Sequence, residues 1–236
     1  MALITTLTEE PTGTYVASLP TLAFSLHSVG VSGYENRWVS RDLTQAAGDV
    51  LPEWAATNGV KLTGSSSIRY PSVVTSSGFK ALSFNGVDDG LSNTALPTAQ
   101  RTVILVARVT AADGVNTPLI GGADDDIQLI RNGSNQIGVF APGTGVSAST
   151  ATETGSTWHV FGLRLDATEA TAWRDGVKLA AAASTGAGLT GLRLPIASGA
   201  FGKIEALELV TYPTALADAD MMTIKTELKK TYTMIP

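Results

Sequence analysis

The chain contains no cysteine and only two histidines among its 236 residues. A disulfide scaffold, thiolate catalysis and a cysteine-ligated metal are therefore excluded. Charge is also scarce, since Asp, Glu, Lys and Arg make up 16% of the residues, below the share of about 25% that is usual in soluble proteins. Gly, Pro, Ala, Ser and Thr take their place, and this mixture favours short strands joined by turns over long helices.

Long basic runs and long apolar runs are missing too. The net charge is −5, and no Lys/Arg run could follow a phosphate backbone, so we expect no nucleic acid partner. No apolar stretch approaches the roughly 18 residues of a membrane-spanning helix, and we expect no membrane insertion. The opening MALITTLTEEPTGTYV lacks the basic and apolar regions of a Sec signal peptide, so none is expected.

Strand patterns dominate the second half of the chain. RTVILVARVT is a continuous β-branched run, typical of a strand buried on both faces. In ATAWRDGVKLA, Asp175-Gly176 separates two short strands, the favoured residue pair of a two-residue type I′ hairpin. Further strands are predicted in four segments: 81–97, 126–140 (two strands around 132–135), 157–166 and 202–212. Residues 33–80 are turn-rich, with a short helical turn predicted around 42–49.

The stretch LSFNGVDDGL gathers an Asn and two Asp residues among glycines, as a metal loop or a sugar-binding edge would. Its apolar residues alternate toward the core, Gly86 can supply a positive φ, and Asp88 and Asp89 can accept turn amides. We therefore interpret it as a structural turn.

One helix is predicted at residues 214–232, with Thr214 as its cap. Four apolar residues fall at helical spacing on one face: Met221, Ile224, Leu228 and Tyr232. This stripe predicts packing on the β core, with a partner-binding helix as the alternative.

Several segments, in order, resemble LamG-like, concanavalin A-like jelly-roll domains of the kind found in phage virion proteins. They are LSFNGVDDGL, TVILVARV, STWHVFGLRLDATEATAWRDGVKLA and GKIEALELVTYPTALADADMMTIKTELKKTY. The resemblance covers about residues 20 to 234. It implies an all-β sandwich of two antiparallel sheets over residues 21–236, with an N-terminal arm at residues 1–20 and one C-terminal helix.

The resemblance implies a non-enzymatic virion structural protein, either a capsid decoration or a minor tail protein. Its partners would be other virion proteins, with surface glycans and further copies of the chain as additional candidates. It would be made in the host cytoplasm and located in the virion. The alternative is a carbohydrate-binding lectin module, calcium-dependent or not, because this fold hosts many functions.

No catalytic residue is predicted. Hydrolytic members of the superfamily place alternate carboxylates on one strand face, whereas the odd spacing of Glu205 and Glu208 predicts opposite faces. Glu153 and Glu169 lie near turns, and all four glutamates are predicted to be solvated. His27 and His159 are predicted to be partly exposed and not to act as bases.

Ligand and metal candidates are few. Asp124, Asp125 and Asp126 adjoin at a turn, and Ca²⁺ prefers clustered oxygen ligands, but the alternating spacing of an EF-hand is absent. We therefore expect no cofactor, with calcium at these residues as the alternative. Trp38 and Trp54 are sugar-stacking candidates, or else plugs over a sheet edge. The remaining tryptophans, Trp158 and Trp173, are expected between the sheets.

Overall fold

The computed structural model describes residues 28–64, 70–96, 101–110, 116–123, 127–142, 144–184, 188–197 and 199–236. The predicted arm at residues 1–20, His27 and the three aspartates at 124–126 lie outside these ranges. The described part folds as two antiparallel sheets packed face to face, with a C-terminal helix on one of them. The predicted all-β, jelly-roll type of sandwich is confirmed.

Sheet 1 lies next to the helix. Its strands are β1 (Asn36–Val39), β4 (Ser72–Ser76), β5 (Phe79–Ser83), β7 (Thr102–Val109), β12 (His159–Leu165), β13 (Glu169–Arg174), β14 (Val177–Ala183) and β18 (Ile204–Tyr212). The spatial order is β14-β13-β12-β7-β18-β5-β4, and β1 also pairs with β18.

Sheet 2 faces the other side of the core. Its strands are β2 (Glu53–Ala55), β3 (Lys61–Thr63), β6 (Leu91–Asn93), β8 (Thr117–Gly121), β9 (Gln128–Arg131), β10 (Gln136–Ala141), β11 (Gly145–Thr152) and β15 (Leu192–Leu194). The order is β11-β10-β9-β8-β15-β6-β3-β2. A small hairpin, β16 (Ile196–Ala197) with β17 (Ala200–Phe201), follows β15.

The strands predicted from strong patterns are present, and the type I′ turn is confirmed because Asp175 and Gly176 both have positive φ, 53° and 79°. The described residues of the turn-rich region 33–80 contain the strands β1 to β4 and the start of β5. The helical turn predicted around 42–49 is wrong. A 3-10 turn spans Ser40–Asp42, and residues 43–49 are not helical. Strands of three to five residues are too short to show a periodic pattern.

The tryptophans occupy the reverse of their expected places. Trp38 and Trp54 are fully buried between the two sheets. Trp158 and Trp173 lie on the opposite face of sheet 1, beneath the helix. Alternation explains the position of Trp158. Phe161 in β12 points to the inter-sheet core, so Trp158, three residues earlier, points to the opposite face of the sheet.

The helix α1 spans Asp218–Thr231 and begins four residues later than predicted. The preceding segment is held against β7, because the Thr102 hydroxyl donates to Thr214 O and accepts from Leu216 N–H. The Asp220 carboxylate accepts the Ala217 amide instead of Thr214 capping the helix.

The apolar stripe of the helix packs on the outer face of sheet 1, as predicted, and thereby covers that face. Gly162 of β12 allows this close approach, because a Cβ there would lie 2.5 Å from the Met221 methyl. Within the described residues, none of the helical segments combines the length and apolarity needed to traverse a bilayer.

The turn at 85–90 is held by its own side chains as predicted, although Asn85 accepts the amides that were assigned to Asp88 and Asp89. Asn85 Oδ1 accepts the amides of Val87, Asp88 and Asp89, and Asp89 Oδ2 accepts the Asn85 amide at 2.9 Å. Gly86 has a φ of +77° against Lys203.

Candidate functional site

A histidine is held between two carboxylates at one end of sheet 1. His159 begins β12, Asp175 sits in the β13–β14 turn, and Glu153 follows β11. His159 Nδ1 lies 2.5 Å from Asp175 Oδ2, and Nε2 lies 3.1 Å from Glu153 Oε2. Both ring nitrogens are therefore occupied by acidic partners.

The backbone fixes each member of this cluster. Asp175 Oδ1 accepts the Val160 amide at 2.9 Å, and Glu153 Oε1 accepts the Gly155 amide at 3.1 Å. The buried Arg131 donates to the Glu153 carbonyl at 3.0 Å. The geometry is rigid because side chain and main chain hold it together.

The electrostatics favour a protonated ring. Burial opposes the charge, but the hydrogen bonds and charges of Asp175 and Glu153 outweigh it and raise the pKa of His159 to about 9. Burial would raise the pKa of Glu153, yet the hydrogen bond and charge of His159 lower it below its ordinary value. A ring that is charged at neutral pH, with both nitrogens engaged, has no free position to accept a substrate proton.

Three of the glutamates predicted to be solvated have different surroundings. Glu153 and Glu208 are buried. A β-bulge between Ala206 and Glu208 shifts the alternation of β18, so Glu205 and Glu208 share the helix side of sheet 1 instead of opposite faces.

Each of these carboxylates has its own cation. Glu208 pairs with buried Arg37 at 2.7 Å, and Glu205 forms a two-point contact with Arg108 at 3.0 and 3.1 Å. Glu169 pairs with Lys178 near the surface. Neutralisation by separate cations makes these glutamates structural, because a hydrolase needs a free acid and a free carboxylate beside one substrate.

The outer face of sheet 2 carries a different kind of site. Strand pairing aligns eight residues in one row across all eight strands: Glu53, Thr63, Ser92, Arg193, Gly121, Gln128, Phe140 and Val146. We call this the outer-face row. Its neighbours along each strand point into the core, as Leu62, Leu129 and Val139 do.

The chemistry of the outer-face row changes from one end to the other. Hydroxyl and guanidinium groups occupy β3, β6 and β15, a glycine occupies β8, and Gln128 on β9 is only 6% exposed. Phe140 is half-buried and Val146 is 45% exposed at the β10–β11 end. An aromatic ring beside hydrogen-bonding side chains is the combination that orients a polar ligand with an apolar face.

Sequence reasoning missed this row. The pattern of 126–140 predicts two strands around a turn, and its alternation could have placed Gln128 and Phe140 on one face. Strand partners as distant in sequence as Gly121 and Arg193 are not visible in a pattern. The predicted stacking candidates Trp38 and Trp54 have no exposed ring face in this fold, because both fill the core.

Calcium at Asp124, Asp125 and Asp126 stays a prediction, since those residues lie outside the described part. Among the residues that are described, no three His, Asp or Glu side chains converge in a way that could hold a metal ion.

The chain matches no protein-family model and no curated protein. Its fold is similar to Trypanosoma rangeli sialidase in complex with 2,3-difluorosialic acid, with a TM-score of 0.64 and 15% identity over 86% of this chain and 34% of that chain. It is similar to the binding domain of Paraclostridial Mosquitocidal Protein 1, with a TM-score of 0.60 and 11% identity over 85% and 53%.

A third structure, the CBM40 of Ruminococcus gnavus IT-sialidase bound to alpha2,6 sialyllactose, aligns with a TM-score of 0.48 and 13% identity over 61% of this chain and 96% of that one. The chain spans about a third of the sialidase chains. What it shares with the sialidase and with the toxin's binding domain is the fold: a β-sandwich of the jelly-roll type.

Proposed function

We propose that this chain is a non-enzymatic carbohydrate-binding module that holds its ligand on the outer face of sheet 2. The observation that carries the proposal is the β10–β11 end of the outer-face row, where the half-buried Phe140 adjoins the exposed Val146. Sugars present hydroxyls at their edge and C–H groups on their ring face, so an aromatic beside polar side chains matches both.

The placement of the helix supports this choice of face. The outer face of sheet 1 is covered by α1, which buries Met221, Ile224 and Leu228 against it. Among the described residues no α-helix lies on sheet 2, and Val146 at its β10–β11 end is 45% exposed. The sheet's polar groups would orient the sugar, and a ligand that leaves them unpaired would bind more weakly.

The proposal excludes catalysis on the clusters described above. His159 is clamped by two carboxylates, and Glu205 and Glu208 are each paired with an arginine. The similar sialidase is an enzyme, but this chain spans only about a third of its length. The similar structure from Paraclostridial Mosquitocidal Protein 1 is named a binding domain. A module that binds without reaction agrees with the chain's own residues.

A glycan array with the purified chain, read with and without Ca²⁺, tests the proposal. Binding to a defined group of glycans is expected. Loss of that binding when Ca²⁺ is withdrawn would support the alternative at Asp124–Asp126, whereas unchanged binding would exclude a calcium requirement. Failure to bind any glycan at millimolar concentration would contradict the proposed function.

A role in a virion is a second proposal, and it rests on the resemblance of LSFNGVDDGL and the segments after it to phage virion domains. A capsid decoration or minor tail protein with a glycan-binding face would combine both functions, with other virion proteins as its partners. Electron microscopy of purified particles with and without this chain tests it. Particles unchanged in mass and outline would contradict it.

A further inference from the structure

Three asparagines of this chain stand directly before a glycine: Asn58, Asn85 and Asn132. In such a pair the glycine nitrogen can attack the asparagine Cγ, because glycine has no side chain to block the approach. The glycine amide gives its proton to solvent, the new N–Cγ bond closes a succinimide ring, and the Cγ–Nδ2 bond breaks as the departing nitrogen takes up a proton and leaves as ammonia. Water then opens the ring to aspartate or isoaspartate. An amide thereby becomes a carboxylate, with water as the only co-reactant.

The attacking amide is unengaged at one of the three pairs. The Gly59 amide donates to Ala56 O at 2.9 Å, and the Gly133 amide donates to Asn116 Oδ1 at 3.1 Å. Among the residues that the structure describes, none accepts the Gly86 amide. An amide that already donates must give up that bond before its nitrogen can lose the proton and attack, which costs about 0.5–1.5 kcal/mol.

The carbonyl oxygen on which negative charge develops is best supported at the same pair. Asn85 Oδ1 accepts three backbone amides, at 2.7, 3.1 and 3.3 Å. Within the described part of the chain, Asn132 Oδ1 accepts two, both at 2.9 Å, and Asn58 Oδ1 accepts one at 3.2 Å. Backbone amides that point at an oxygen where charge develops lower the barrier, as in an oxyanion hole.

The Asn85 side chain is held in the orientation that the reaction needs. Its Nδ2 donates to Asp88 Oδ1 at 2.8 Å, so Oδ1 faces the backbone amides and the departing nitrogen faces the other way. Asn85 is also exposed, which admits the water that opens the ring.

We infer that Asn85-Gly86 is the principal deamidation site among the three pairs, and hence a modification site in the turn between β5 and β6. Each event adds one negative charge to a turn that already holds Asp88 and Asp89. The isoaspartate product also adds one carbon atom to the main chain of this turn, which joins a strand of sheet 1 to a strand of sheet 2. The modification does not depend on the proposed glycan-binding function.

Peptide mapping of the folded chain during incubation in mildly alkaline buffer tests this inference. Trypsin cleaves after Lys and Arg, so the three asparagines fall in separate peptides, residues 42–61, 81–101 and 132–164. Mass spectrometry follows the replacement of NH₂ by OH in each peptide, and a zero-time sample corrects for modification during digestion. Modification is expected to be at least about threefold faster at Asn85 than at Asn58 or Asn132, because only Asn85 combines an unengaged amide with three oxygen-directed donors. A smaller ratio to either one would overturn the inference.

The urea-unfolded chain is the matched control, because all three pairs lose their hydrogen bonds there. Their rates are expected to converge. An unchanged lead of Asn85 in urea would assign the lead to the neighbouring sequence and overturn the structural cause.

Two variants check the assignment by intact mass, after circular dichroism shows that both are folded. Asn85→Ser is expected to remove most of the mass increase of the folded chain, whereas Asn132→Ser is expected to remove little of it. Serine suits both positions because its hydroxyl can still accept turn amides. The reverse order would overturn the inference.

Discussion

Arg37 and Glu208 form an ion pair beneath the C-terminal helix, with Arg37 Nε donating to Glu208 Oε1 at 2.7 Å across 171 residues of sequence. The Tyr232 hydroxyl donates to the other oxygen of the same carboxylate at 2.8 Å. One buried carboxylate therefore joins β1, β18 and the residue that follows α1. The covered face of sheet 1 depends on this junction as well as on apolar packing.

Substitution of Glu208 by Gln is expected to reduce the free energy of unfolding by about 3–5 kcal/mol, because it leaves the Arg37 charge buried without its counter-ion. Urea denaturation followed by tryptophan fluorescence measures the loss. The matched control is Glu53→Gln, whose pair with Lys61 is about half exposed and whose loss is expected to be about 0–1 kcal/mol. Equal losses in the two variants would contradict the structural role of the pair.

The His159 cluster predicts a pH dependence of stability. Because the folded-state pKa of about 9 lies above the ordinary 6.5, the charged ring stabilises the fold fully below pH 6.5. That contribution is lost as the pH rises through about 9. Glu153 acts in the opposite direction: its lowered pKa gives stability above pH 4.5 that is lost as the pH falls.

Urea denaturation at pH 6.5, 8 and 9.5 measures this, with His159→Gln as the control. The free energy of unfolding of the native chain is expected to fall more steeply with pH than that of the variant, since only the native chain loses the clamped charge. Parallel pH profiles would show that the pairing of His159 with Asp175 and Glu153 contributes nothing to the free energy of unfolding.

Two adjacent glycines give a matched test of the hairpin contact. Gly121→Ala is expected to destabilise the fold by about 1–3 kcal/mol, because the new Cβ meets the backbone oxygen of Ile196 at 2.6 Å. Gly122→Ala is expected to cost less, because its Cβ meets the end of the Leu189 side chain at 3.2 Å, which can move. Thermal denaturation compares them, and a reversed order would refute the placement of the hairpin.

The glycan site predicts which aromatic ring matters. Phe140→Ala is expected to weaken binding of the best array glycan about two- to tenfold, because stacking on an aromatic contributes about 0.5–1.5 kcal/mol. Tyr70→Ala is the control, since Tyr70 is 37% exposed but lies outside the outer-face row. Calorimetry measures both, after circular dichroism shows that each variant is folded. Equal affinity of the two variants would place the ligand elsewhere.

The strongest local patterns predicted their elements correctly. The β-branched run became β7, Asp175-Gly176 became a type I′ turn, and the apolar stripe of α1 packed on the sheet. Each of these signals is held in a few consecutive residues, where steric preference and periodicity act directly. The start of α1 was less well predicted, because Thr102, more than 100 residues away, holds the segment before it.

Face and burial were harder to predict. The interchange of the tryptophan pairs depended on which face of its own sheet each ring occupies, and a single bulge moved Glu208 to the side of Glu205. A shift of one residue in register reverses every side chain of a strand, so small local irregularities change many predictions at once.

By itself the sequence determined the all-β class, the principal turns and the amphipathic helix, because these depend on residues that are neighbours in the chain. Only the tertiary structure decided that Arg37 meets Glu208, that His159 is held by two acids, and that Phe140 and Val146 are paired on the outer face of sheet 2. Those relationships join residues that are not neighbours in the chain, and their partners are selected by the burial of apolar side chains across the whole sandwich.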